Sequence, residues 1–234
     1  PDWNYEYDLL GNLTSKTSKS GLEQWTYEWN EAGMLTKVVS PNNAETRFKY
    51  DALSRRIEKQ HGSTTTRWVW DGNTPLHEWT LEDRSDLITW VFEEGTFVPQ
   101  AKLQHGKSYS IITDHLGTPI QAYDEFGTKI WSRSLDIYGK VRSFEGDKTF
   151  LAFLFAGIYE DIETGLCYNR FRYYDPEMGM YISQDPIGLA SGEFNLYSYV
   201  KDSNIWIDPF GLLGSLTEMA KSISESGDHF FHRQ

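Results

Sequence analysis

A single cysteine, Cys167, rules out a disulfide framework within the chain and leaves its redox compartment unmarked. Long apolar runs are missing too. No stretch approaches the ~20 apolar residues that a membrane-spanning helix needs, and no signal peptide opens the chain. Basic residues are few, 22 Lys and Arg against 34 Asp and Glu, for a net charge of −12. That balance argues against a nucleic-acid-binding surface, because neutralising phosphates takes cations. The Gly-rich phosphate-binding motifs of dinucleotide and P-loop folds are absent, and no cofactor is expected. At 234 residues the chain has room for one or two ordinary domains.

What is abundant is aromatic: 13 Phe, 9 Trp and 14 Tyr, alongside 19 Gly. Aromatics and glycines without long apolar runs point to many short strands joined by turns. A repeat carries them. The segments Tyr5–Lys16 (YEYDLLGNLTSK), Tyr27–Val38 (YEWNEAGMLTKV), Phe48–Lys59 (FKYDALSRRIEK) and Trp68–Trp79 (WVWDGNTPLHEW) share an aromatic-x-aromatic strand, an Asx turn and a second strand. Weaker copies follow at Tyr123–Gly127 and Ile137–Lys140. The Asx side chain bonds the turn backbone, Gly supplies positive φ, and flanking aromatics pack across each hairpin. One hairpin is barely stable alone, so successive copies must stack into an extended sheet. Glu82–Ser110 breaks the pattern and reads as irregular. The chain starts within a repeat, so a longer parent polypeptide is expected.

The stretch from Gly157 to Leu212 holds two near-copies of one phrase, Asp185-Pro186-Ile-Gly-Leu and Asp208-Pro209-Phe-Gly-Leu, 23 residues apart. Behind Leu212 the composition shifts to the helix-like LGSLTEMAKSISES, with Leu213, Leu216, Met219, Ala220 and Ile223 at helical spacing. Asp-Pro-x-Gly is by itself a common turn phrase, and a third copy, Asp175-Pro176-Glu-Met-Gly, reads as a plain structural turn. Two carboxylates held close in a partly dry pocket can do more: one keeps a proton while the other stays charged, which suits a water attacking an amide carbonyl. Pro after each Asp fixes the backbone and removes a donor, and Gly permits the bend that follows. Cys167, between Leu166 and Tyr168, reads as a buried packing residue. His229 and His232 have HxxH spacing, but on so short a tail no metal site is expected.

The combined phrase, RFRYYDP followed by GMYISQDPIGL, NLYSYV and DPFGL, resembles the C-terminal end of the core domain of rearrangement-hotspot (Rhs) repeat toxins. The repeats resemble the tyrosine-aspartate (YD) repeats of Rhs proteins, teneurins and the C component of insecticidal toxin complexes. This resemblance implies an all-β fold, a YD-repeat hairpin spiral forming part of a hollow shell. Residues 1–145 would be shell, 146–212 an irregular plug, and 213–234 the start of a variable toxin domain. It also implies that Asp185 and Asp208 are catalytic aspartates cutting the chain between Leu212 and Leu213. Arg172, or its close competitor Arg170, would orient a carboxylate or stabilise developing charge. Ser203 stands where the motif usually carries Pro, which frees a φ angle before Asp208. The implied partners are the shell's own N-terminal portion, the cleaved toxin, a secretion-apparatus spike protein, a chaperone and an immunity protein, with export as a delivered effector. A teneurin-like scaffold for adhesion or carbohydrate contact, without proteolysis, is the alternative. An enzyme acting on an external substrate is a third reading, for which no further catalytic constellation is visible.

Overall fold

The computed structural model describes residues 3–212. Fourteen strands, β1 (Trp3–Tyr7) to β14 (Val141–Glu145), run in sequence order through one antiparallel sheet. The expected repeat turn recurs six times, at Asp8, Asn30, Asp51, Asp114, Asp124 and Asp136. In each, Oδ1 of the Asx residue accepts the backbone N–H groups two and four residues on. The residue at the next-to-last position must take positive φ; five turns use Gly there, whereas Ser54 occupies it in the third with φ 61°. The fourth repeat departs from this geometry, because Asp71 pairs with Thr74 and the hairpin closes on Gly72-Asn73 alone.

The stretch Glu82–Ser110 is not irregular. It holds β9 (Ile88–Phe92), β10 (Pro99–Gln104) and the first half of β11 (Lys107–Thr113). Its connections vary in length, so the repeat spacing is lost while the strand pairing continues. Hairpin order also runs past Tyr138, which lies in the turn leading into β14.

The C-terminal region carries a second sheet of four short antiparallel strands: β15 (Tyr159–Asp161), β16 (Leu166–Asn169), β17 (Arg172–Asp175) and β18 (Met180–Tyr181). Regular strand pairing therefore sits inside the region read as irregular. The two sheets share a core in which Leu13, Leu35, Phe48, Trp68, Trp90 and Trp131 meet Phe153, Tyr159, Tyr168 and Tyr173. Each such side chain contributes about 1.5–3 kcal/mol on burial. Cys167 is fully buried in an adjoining cluster with Leu154, Tyr174 and Tyr181, and burial pushes its thiol well up.

Cations on the large sheet tie it to the second sheet. Arg56 and Lys59 both reach the fully buried Asp161, and Arg133 reaches Glu160 at 3.2 Å. Lys16 meets Asp175 at 3.0 Å, so the third Asp-Pro copy is a turn and an anchor together. Lys102 donates to the Phe150 carbonyl, and burial pulls its ammonium down to about 8.

Candidate functional site

The β16–β17 hairpin turns on Arg170 and Phe171, with Arg170 at φ 52°. Asn169 and Arg172 are the residues paired across its mouth, so their side chains emerge together. Two loops converge on them. The Asp208 loop is held by its backbone: Asn169 Nδ2 donates to the Asp208 carbonyl at 2.7 Å, the Phe171 N–H to the Phe210 carbonyl, and Arg172 Nε to the Gly211 carbonyl. The Asp185 loop is held by the Asp185 N–H on the Leu196 carbonyl and by the Ile187 N–H on Asp185 Oδ1. Ser203, in the place of a motif proline, donates its hydroxyl to the Ile137 carbonyl and so ties this approach to a repeat turn.

Close backbone contact sets the position of Asp208. Gly157 sits at φ 83°, and a Cβ there would lie 2.6 Å from the Pro209 carbonyl oxygen. Gly211, at φ 67°, is packed equally hard against the Asn169 carbonyl. Gly157→Ala is expected to push the Asp208-Pro209 loop off its seat, adding left-handed strain of about 1–2 kcal/mol. The variant should still fold, with a lowered urea midpoint that reads the displaced loop.

At the centre, one guanidinium nitrogen bridges both motif carboxylates. Arg172 Nη2 lies 3.1 Å from Asp185 Oδ2 and 3.2 Å from Asp208 Oδ2. Asp185, Asp208 and Arg172 are all buried. Both Oδ2 atoms thus face the same guanidinium nitrogen. A single cation against two carboxylates leaves a negative surplus that one extra proton relieves. Burial pushes the Asp208 carboxyl above its ordinary value, and Asp185 adds to this. Arg172, the Leu212 N–H and the Tyr181 hydroxyl pull the other way without reversing it. The Leu212 N–H donates to Asp208 Oδ1 at 2.9 Å, which places the Leu212 carbonyl carbon two covalent bonds beyond a group already on the dyad.

Arg170 does not join this cluster. Its guanidinium lies over the Trp70 and Phe171 rings, and the competition between the two arginines resolves to Arg172 as the one touching both carboxylates. Two buried residues that the sequence reading passed over do join it. Tyr181 donates its hydroxyl to Asp208 Oδ2 at 2.9 Å and stacks its ring 3.6 Å beneath the Arg172 guanidinium. Asn169 donates to the Tyr181 hydroxyl at 2.6 Å. Tyr181 lies inside the phrase GMYISQDP and Asn169 directly precedes RFRYYDP, but their type gave no chemical signal. Leu213, the helical pattern behind it and the His229/His232 pair lie outside the described residues.

The teneurin YD-shell family profile matches residues 1–205. The chain belongs to that family. Among its relatives is the probable deoxyribonuclease RhsA of Dickeya dadantii, 34% identical over 223 residues, which cover 90% of this chain and 15% of that protein. Another is toxin protein Tse5 of Pseudomonas aeruginosa, 33% identical over 251 residues, covering 89% of this chain and 19% of that one. The YD-shell chain therefore spans less than a fifth of the length of these relatives. In fold it resembles the TcdB2–TccC3 structure lacking the hypervariable C-terminal region, with a TM-score of 0.65 at 19% identity over 90% of this chain and 13% of that one. It also resembles the Photorhabdus luminescens Tc holotoxin pore, with a TM-score of 0.65 at 20% identity over 92% of this chain and 13% of that one. Rhs-type toxins with YD-repeat shells are its kin, and an all-β YD-shell is its architecture.

Proposed function

We propose that this chain is the C-terminal part of a toxin shell that encloses its own C-terminal toxin and frees it by cutting after Leu212. The observation that carries this reading is the single Arg172 nitrogen between Asp185 and Asp208, with the Leu212 amide already on Asp208. The ionised carboxylate takes a proton from water as the water oxygen adds to the Leu212 carbonyl carbon. The protonated carboxylate donates to the carbonyl oxygen as negative charge develops there, and Arg172 steadies the pair. When the tetrahedral species collapses, the C–N bond breaks. The Leu213 nitrogen leaves as an amine carrying the proton taken from water, the acid carboxyl recovers the proton it lent to the carbonyl oxygen, and Leu212 keeps the new carboxyl group. No metal, Ser or Cys is needed, and the reaction runs once per chain.

Residues 1–145 are then shell, 146–212 the plug that carries the protease, and 213 onward the cargo. The cut cargo would stay inside by enclosure, which spares the producing cell until a specialised secretion system delivers the effector. The spike protein, chaperone and immunity protein named above fit this scheme.

Intact mass of the expressed parent chain tests it. A break between Leu212 and Leu213, with the fragment co-eluting with the shell on gel filtration, is the expected result. A whole chain would favour the scaffold reading, and a fragment that separates freely would remove enclosure while leaving cleavage in place.

A further inference from the structure

Among the described residues the buried cations meet an oxygen partner, with one exception. Lys16, Arg56, Lys59, Arg133 and Arg172 each reach a carboxylate, and Lys102 reaches a carbonyl. Arg170 is only 9% exposed, yet neither its Nε nor its Nη1 has a hydrogen-bond partner. The Trp70 and Phe171 rings, 5.9 and 5.5 Å from its guanidinium, attract the cation weakly but offer no acceptor for an N–H. Asp51 acts on it only from a distance, since that carboxylate carries Arg55 at 2.6 Å and the N–H groups of Leu53 and Arg55. A buried charge is normally paired, so Arg170 calls for an acceptor that residues 3–212 do not supply.

A cavity lies beside it. Arg170 lines a space of about 30 Å³ together with Trp70, Phe92, Phe97, Tyr168, Pro209 and Phe210. Arg56 borders this space too, but Asp161 answers its charge, and no carboxylate belongs to the wall. One water needs roughly 10–15 Å³ of such space, which leaves room for about two or three heavy atoms. A carboxylate group is that size, whereas a tetrahedral phosphate or sulfate is too large. Its planar pair of oxygens also matches a guanidinium, and the aromatic wall strengthens the attraction by excluding water. Asn73, on the same wall, adds an amide donor. We propose that the Arg170 cavity is a carboxylate-binding site, filled by a small free carboxylate or by an acidic side chain of the parent polypeptide. It adjoins the Asp208 loop without belonging to the dyad: Pro209 and Phe210 form part of the wall, and the Phe171 N–H, next to Arg170, holds the Phe210 carbonyl. A carboxylate seated there fastens the β16–β17 turn to that loop.

Formate is the probe, because it is a carboxylate and nothing more. A crystal structure of the parent chain grown in sodium formate, cut or whole, reads the site directly and stands apart from the cleavage reading. Formate on the Arg170 guanidinium identifies a free-anion site, and an Asp or Glu of the parent chain there identifies an internal one. Water alone on Arg170, or a guanidinium turned out of the cavity, overturns the proposal. Stability in solution then checks that the contact is binding. For a formate site, the wild-type urea midpoint should climb as formate replaces chloride at constant ionic strength, and that of Arg170→Gln should stay put. For an internal site, changing the acid found there to its amide should lower the wild-type midpoint and leave that of Arg170→Gln unmoved. Equal shifts in both backgrounds overturn the proposal, because the carboxylate would then be acting elsewhere on the chain.

Discussion

Asp185→Asn and Asp208→Asn chains should each fold and remain whole, with fragment release reduced by about 10²–10⁴-fold, the usual worth of a positioned acid or base. Each substitution preserves shape and removes one carboxylate's capacity to take up or give a proton. The folding cost is smaller than the catalytic one. At Asp208 the new amide would turn N–H groups toward Arg172 or Tyr181, an unsatisfied contact worth about 1–3 kcal/mol. Asp185 retains its loop through main-chain bonds that the change leaves in place. Intact mass and circular dichroism on the same samples separate the two effects. Native-like variants that still release the fragment would show that the bridged dyad is a structural ion cluster.

Arg56→Leu should be the most damaging single change outside the site, lowering stability by about 3–5 kcal/mol as for other buried pairs broken on one side. The Arg56 guanidinium is paired with the fully buried Asp161 and sits within 5.4 Å of the Phe48, Trp68, Tyr159 and Tyr168 rings. Removing it leaves Asp161 with Lys59 alone and empties an aromatic cage that joins the two sheets. Urea unfolding in an Asp208→Asn background, which would disable the proposed cleavage, reads the loss. Its pH dependence has a definite sign. Burial would raise Asp161, but Arg56 and Lys59 hold it below the ordinary carboxylate range. Its contribution is therefore present above an unfolded Asp's value, roughly 3.9, and fades as pH falls through the lower folded value. Without Arg56 the folded value rises, so acid unfolding should begin at higher pH than in the wild type. Asp208 works oppositely: its raised value stabilises the protonated form at low pH, and that contribution is lost as pH climbs through it. Equal acid midpoints for wild type and Arg56→Leu would show that the Asp161 pair contributes nothing to acid resistance.

Local chemistry made much of this molecule legible in one dimension. The Asx turns at Asp8, Asn30 and Asp51 were readable because side chain, glycine and spacing act within five residues, and six turns obey one bonding rule. The same reading missed β9 and β10, where Glu93-Glu-Gly-Thr and a 3-10 turn at Arg84–Asp86 stretch the connections without breaking the pairing. Asp175 shows the limit from another side. Its Asp-Pro-x-x-Gly phrase is a turn as expected, yet its second oxygen reaches Lys16, 159 residues away, which no local pattern encodes.

The candidate site divides along the same line. By itself the sequence determined that Asp185 and Asp208 sit in matched, proline-stiffened frames with an arginine nearby, since each frame is a short-range property of five residues. Only the tertiary structure decided that Arg172 rather than Arg170 bridges them, because the β16–β17 hairpin places Arg170 in the turn and Arg172 in the pairing. It also brought in Tyr181 and Asn169, whose roles depend on loops arriving from two separate parts of the chain. A carboxylate's chemistry is set by what surrounds it once water is excluded, and those surroundings exist only after the sheets have packed.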